Sequence, residues 1–140
     1  MTYHHLANRI CIVVAVLTLA IAGCGTAVVP TATPTNAPAG DALRGEQLFN
    51  NQIETQYLCN ACHSLEAGKV FVGPSLAGVA TSAAQRVAGY TAEQYLRESI
   101  VQPNAHIVEG YVAGVMPTNI GYQMPAQDLS DLVAYLLTLR

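Results

Sequence analysis

The hydrophobic pattern divides the chain into one unbroken apolar block and a long stretch where apolar positions are spaced. The block is ICIVVAVLTLAIA, the thirteen residues from Ile10 to Ala22. Beyond residue 40 three segments carry helical signals. Asp41 is an N-cap for ALRGEQLFNNQ, residues 42–52, although Gly45 sits inside it at a cost of about 1 kcal/mol. Thr91 and Gln94 have the spacing of a capping box at the head of TAEQYLRESIVQ, and Pro103 marks its end. In AQDLSDLVAYLLTLR, residues 126–140, Leu129, Leu132, Val133, Leu136 and Leu137 form the stripe of a buried helix face. Asp128 and Asp131 near its start and Arg140 at its end suit the helix dipole. Residues 64–82 and 104–125 are rich in glycine and proline and read as long loops, the first a candidate wall of a site. No run in residues 41–140 alternates like a strand. The pattern predicts an all-α domain of three main helices joined by long loops.

The apolar block changes meaning with its flanks. MTYHHLANR before it carries Arg9 and no acid, and IAGC follows at residues 21–24. A short positive region and a short apolar core have the layout of a secretory signal, whereas a spanning helix needs about 20 apolar residues. An aliphatic residue, two small ones and a cysteine resemble the lipobox of bacterial lipoproteins. That resemblance implies a signal peptide over 1–23 and acylation of Cys24. An uncleaved anchor extending toward Val29 is the alternative. Both place the rest of the chain on an extracytoplasmic face, by the lipoprotein reading the periplasmic face of a bacterial cell membrane. Residues 26–40, TAVVPTATPTNAPAG, have no charge and cannot bury a core, so residues 24–40 read as an acylated cysteine and its tether. The domain proper is then 41–140. Of 140 residues in all, Lys+Arg number 6 and Asp+Glu 9, a net charge of −3. That balance lacks the basic footprint of a nucleic-acid binder.

Four cysteines are present. Cys11 lies in the signal core and Cys24 is the lipidation candidate, which leaves Cys59 and Cys62 in the domain. A disulfide between them would close only a tiny loop. A zinc site wants a second ligand pair, and there is no second CxxC. A redox dithiol of the thioredoxin type wants a preceding strand. The remaining reading of CNACH, residues 59–63, is covalent haem attachment: two thiols for the vinyl groups and a histidine at once after them. Export of the domain favours this, and a haem also gives short helices a large apolar centre to pack on.

From Gly40 to Arg140 the chain resembles a monohaem class I cytochrome c, through RGEQLF, CNACHSL, VGPSLAGV, EQYLRESIVQPNA, GYVAGVMP and LVAYLLTL in that order. It is similar in particular to cytochrome domains of membrane respiratory complexes, such as the C-terminal domain of some oxidase second subunits and the monohaem subunit of alternative complex III. The resemblance implies one covalent haem c, thioethers at Cys59 and Cys62, and His63 as proximal iron ligand. It implies that the Pro74 carbonyl accepts a hydrogen bond from that histidine, and that Gly45 and Phe49 pack against Tyr135 of the last helix. Met116, in GVMP, matches the distal methionine. Met124 is the lesser candidate, standing where the family usually has leucine, and His106 is a third. Tyr111 and Tyr122 flank the Met116 loop as candidate partners of a haem propionate. The chain has no tryptophan, unlike many relatives.

The expected function is electron transfer, one electron at a time, in a respiratory or photosynthetic chain. The protein would be a tethered carrier or a fixed subunit of a larger complex, not an enzyme. Its partners would be redox proteins met through a small contact patch, with the membrane held through the lipid. Loss of Arg9 with the signal leaves five basic residues against nine acids. The rival class is a peroxidase or gas sensor, which needs an open distal site.

Overall fold

The computed structural model describes residues 37–53 and 55–140. The expected signal, Cys24 and most of the expected tether lie outside the described residues. Among the described residues six helices follow in order: α1 Ala42–Phe49, α2 Cys59–Cys62, α3 Val79–Arg86, α4 Ala92–Val101, α5 Ile120–Gln123 and α6 Ala126–Leu136. Among the described residues there is no strand, and no helix is long and apolar enough to cross a membrane. Among the described residues the fold is all-α, as the pattern predicts.

Helix α1 starts where the Asp41 carboxylate accepts the N–H groups of Leu43 at 2.9 Å and Arg44 at 3.3 Å. It stops at Phe49, three residues before the end that its sequence suggests. Asn51 takes a left-handed φ of 53°, a conformation that asparagine tolerates better than most residues. Its N–H then bonds Leu48 O while Gln52 N–H reaches back to Gln47 O at 2.9 Å, which satisfies the last carbonyls of the helix. Helix α4 has both halves of its capping box: Gln94 N–H donates to Thr91 Oγ1 at 3.1 Å, and Thr91 N–H to Gln94 Oε1 at 2.8 Å.

The segment read as a loop over 64–82 ends in helix α3. Gly78, at φ 68°, turns the chain into it. Only Val79 and Ala83 of its eight residues are buried, so it has almost no apolar stripe to betray it. Its place comes from packing on α4 and from Ala80 N–H donating to Leu139 O at 3.0 Å. Likewise α5 lies inside the expected loop 104–125. Gly121 lets it sit on the end of α4, where a Cβ would fall 2.4 Å from Val101 Cα.

Helices α1 and α6 form the main packing pair and bury Leu48, Phe49, Leu132, Val133, Tyr135 and Leu136. The Phe49 and Tyr135 rings meet with centroids 5.7 Å apart. Gly45 makes the approach possible, since a Cβ there would lie 2.0 Å from Asp131 O and 2.8 Å from Tyr135 Cβ. Helix α6 is buried on more than its leucine stripe: Asp128, Ser130 and Asp131 are covered too. Asp131 accepts Asp41 N–H at 2.7 Å, Gln127 Nε2 at 2.7 Å and the Arg44 guanidinium at 2.5 Å. Arg44 also reaches Asp128 at 2.7 Å. Burial pushes the Asp131 carboxyl up, but these donors outweigh it and hold the group below its ordinary 3.8.

Candidate haem-attachment site

Cysteines 59 and 62 are the two ends of the single turn α2, and His63 caps it with its N–H on Cys59 O at 2.9 Å. The i, i+3 spacing brings both thiols to one side of that turn. Both are free and half-buried. Burial pushes the Cys59 thiol above its ordinary value, and the neighbouring Cys62 adds to the shift. Asn60 Nδ2 donates to Asn50 O at 3.3 Å, so the turn is tied to the end of α1.

After His63 the backbone becomes extended, and the following segment folds back over the turn. Gly73 N–H donates to Cys62 O and Leu76 N–H to Ser64 O, both at 2.8 Å. Ser75 Oγ donates to Glu66 O at 2.7 Å. This places Pro74 O 2.9 Å from His63 Nδ1. A carbonyl can only accept, so Nδ1 carries the proton and Nε2 keeps its lone pair for a metal. The contact also restrains the ring. Gly73 completes the seat: a Cβ there would lie 2.5 Å from His63 Cε1 and 2.9 Å from Nε2. Its closeness to the ring is not visible in the sequence, where Gly73 reads only as part of a glycine-rich loop. A glycine directly before the proline is the one hint.

The three candidate distal residues fall in different settings. Met116 is half-buried in the turn-rich segment between α4 and α5, where Gly110 and Gly114 have φ of 86° and 81°. Asn104 Oδ1 accepts Gly114 N–H at 2.8 Å and ties down that segment. Met124 is 7% exposed and belongs to the core with Leu96, Ile100 and Leu132. His106 Nε2 lies 2.8 Å from Glu98 Oε2, and its ring stacks on Tyr95 and meets the edge of Tyr90. Those contacts engage the imidazole where it stands. Tyr111 is half-buried and Tyr122 exposed. On α4, beside buried Tyr95, Leu96 and Ile100, the Ser99 hydroxyl is buried with no hydrogen-bond partner among the described residues. Nothing in the sequence singles it out.

Among the described residues, no three His, Cys, Asp or Glu side chains gather to hold a metal ion. Two free thiols beside an imidazole whose Nδ1 is engaged by Pro74 would suit covalent attachment of a group that carries its own metal.

Residues 42–140 match the family described as Cytochrome c. The chain is 39% identical over 89 residues to a protein named Cytochrome c2 iso-2 from Magnetospirillum fulvum, covering 59% of this chain and 92% of that one. It is 31% identical over 111 residues to Cytochrome c2 of Rhodopila globiformis, covering 75% and 99% respectively. A Cytochrome c-553-like protein of Synechocystis sp. is 30% identical over 100 residues, with 71% and 70% covered.

Proposed function

The chain belongs to the cytochrome c family, and from that premise we propose that it is a membrane-tethered one-electron carrier with His63 and Met116 as its iron ligands. Electron transfer with one covalently attached haem c is the family's activity, and it is not an enzyme's. The observation that carries the ligand reading is the 2.9 Å contact between His63 Nδ1 and Pro74 O beside two free thiols. The residues fit the group. Gly73 leaves the ring uncovered by a side chain, and the cysteines stand one turn apart on the same helix.

When bound, the haem supplies the one-electron couple of its iron. Cys59 and Cys62 would hold it through thioether bonds, and His63 Nε2 would ligate its iron. The Pro74 carbonyl orients the imidazole and makes Nε2 a better donor by accepting a hydrogen bond from Nδ1–H. Met116 sulfur would be the second iron ligand from the protein, would leave substrates no place on the iron and, as a soft donor, would favour its reduced state. Met124 serves packing, as its burial supports. Tyr111 and Tyr122 offer hydroxyls to the propionates.

The tether reading rests on the sequence: the leader layout, IAGC before Cys24, and the uncharged segment behind it. In this reading the lipid keeps the domain at the extracytoplasmic face, and the tether raises the effective concentration of membrane-bound partners. A carrier and a fixed subunit share this chemistry and differ in how long they stay docked. A Cys24→Ser variant should leave the membrane fraction while keeping its spectrum.

The ligand test is optical. The holoprotein should be low-spin and indifferent to carbon monoxide when reduced, whereas Met116→Leu should bind it. Carbon monoxide binding by the parent would mean an open distal site and would sink the carrier reading. Indifference in Met116→Leu as well would move the ligand to another residue.

A further inference from the structure

Residues 102–119 carry Met116 from α4 to α5 without helix or strand. Their backbone bonds are local turns, such as Ala105 N–H on Gln102 O at 2.9 Å and Tyr111 N–H on Val108 O at 3.0 Å. Among the described residues, two side chains of this segment make its hydrogen bonds of longer range. Asn104 Oδ1 accepts Gly114 N–H at 2.8 Å, across ten residues, and so closes the loop 104–114 at its neck. Gly114 lies two residues before Met116 and has a φ of 81°, so the bond fixes the chain where it turns just before the methionine. His106, inside the closed loop, reaches Glu98 on α4 with Nε2 at 2.8 Å from Oε2. A carboxylate only accepts, so Nε2 donates and is not free for a metal. The ring is also held between Tyr95, stacked with centroids 6.2 Å apart, and the edge-on Tyr90 at 5.8 Å.

The geometry points to Asn104 and His106 as positioning residues for the distal ligand: one closes the Met116 loop, the other fastens it to α4, and together they hold the methionine sulfur in place for the iron. This rests on the reading of Met116 as an iron ligand. Both residues act through the backbone of the loop. A methionine on an unanchored loop would lose conformational freedom each time its sulfur met the iron, and that loss favours the open state. Two anchors remove the freedom beforehand, so the sulfur arrives preorganised. The anchors thereby set the fraction of the protein in which the sulfur is off the iron, and with it the access of any outside ligand.

Added imidazole is the probe. On the oxidised full-length holoprotein it competes with Met116 for one position: the iron–sulfur bond breaks, an iron–nitrogen bond forms, and no electron moves. Its apparent affinity, titrated optically, therefore scales with the fraction in which the sulfur is off. Loss of one hydrogen bond should tighten imidazole binding by about fivefold, both in Asn104→Ala and in His106→Phe, which keeps an aromatic ring beside Tyr95. Asn104→Asp keeps an oxygen for the Gly114 N–H and should return to the parent affinity. Thr91→Ala, which weakens the cap at the other end of α4, should lose stability to urea and keep the parent affinity. Parent affinity in Asn104→Ala or in His106→Phe overturns the proposal. So does an equal gain in Thr91→Ala or in Asn104→Asp, which would mean general loosening. Met116→Leu is titrated alongside and should bind imidazole more tightly than any of these. Parent affinity there would remove Met116 as the ligand, and the proposal with it, whereas a gain there beside parent affinity in Asn104→Ala sinks the anchors alone.

Discussion

Gly45 and Gly73 each set a close approach on which the architecture depends, and each has a different neighbour. Gly45 faces the backbone of α6, which cannot yield, and Gly73 faces the imidazole of His63. Gly45→Ala should therefore cost about 3 kcal/mol, the upper range of overpacking, read as a lower urea midpoint of the holoprotein. Gly68→Ala is the comparison. Its φ of 72° disfavours a side chain, but nothing lies within 4 Å of the added Cβ, so about 1 kcal/mol is expected. The need for a reason at Gly45 was readable in the sequence as a glycine inside a helix. Gly73 was not, because its constraint comes from a ring ten residues earlier in the chain.

Among the elements, legibility followed local hydrogen bonding. The Asp41 cap and the Thr91–Gln94 box use side chains two or three residues from the N–H groups they satisfy, so spacing alone reveals them. Thr91→Ala should lower stability by about 1 kcal/mol, measured by urea unfolding, with the haem spectrum unchanged. Helices α3 and α5 carried no such signal. The first buries only Val79 and Ala83, and the second is a four-residue turn shaped by the contact of Gly121 with α4. The end of α1 escaped because Asn51 adopts a left-handed conformation that its residue type permits but does not require.

At the scale of the whole molecule, α1 and α6 join opposite ends of the domain through a polar clasp. The Asp131 carboxylate binds the Asp41 N–H and Arg44 from ninety and eighty-seven residues away, and Gln127 Nε2 donates to Ala39 O at 2.8 Å. Because the folded-state carboxyl is held below its ordinary 3.8, its ionised form adds stability that is fully present above that value. That stability is lost as pH falls through the lower folded value. Asp131→Asn should therefore be less stable than the parent at pH 7, by about 1–3 kcal/mol. The difference should shrink as both are acidified below pH 3.8, and urea midpoints across that range check it. The sequence placed Asp131 only as a dipole partner near a helix start, and its burial could not be anticipated without knowing that Arg44 would lie beside it.

The sequence by itself determined the chemistry that must be contiguous. CNACH needs its thiols and imidazole within one turn, and the caps and the leucine stripe of α6 are equally local, so five to fifteen residues suffice to read them. Tertiary structure alone decided which atoms meet across the chain. It seated His63 against Gly73 and Pro74, buried Asp131 among donors from the other end of the domain, and left Val70, Phe71 and Val72 on the surface. The physical reason is that burial and close approach depend on what packs opposite a residue. An apolar side chain reads the same in sequence whether the rest of the chain covers it or leaves it exposed.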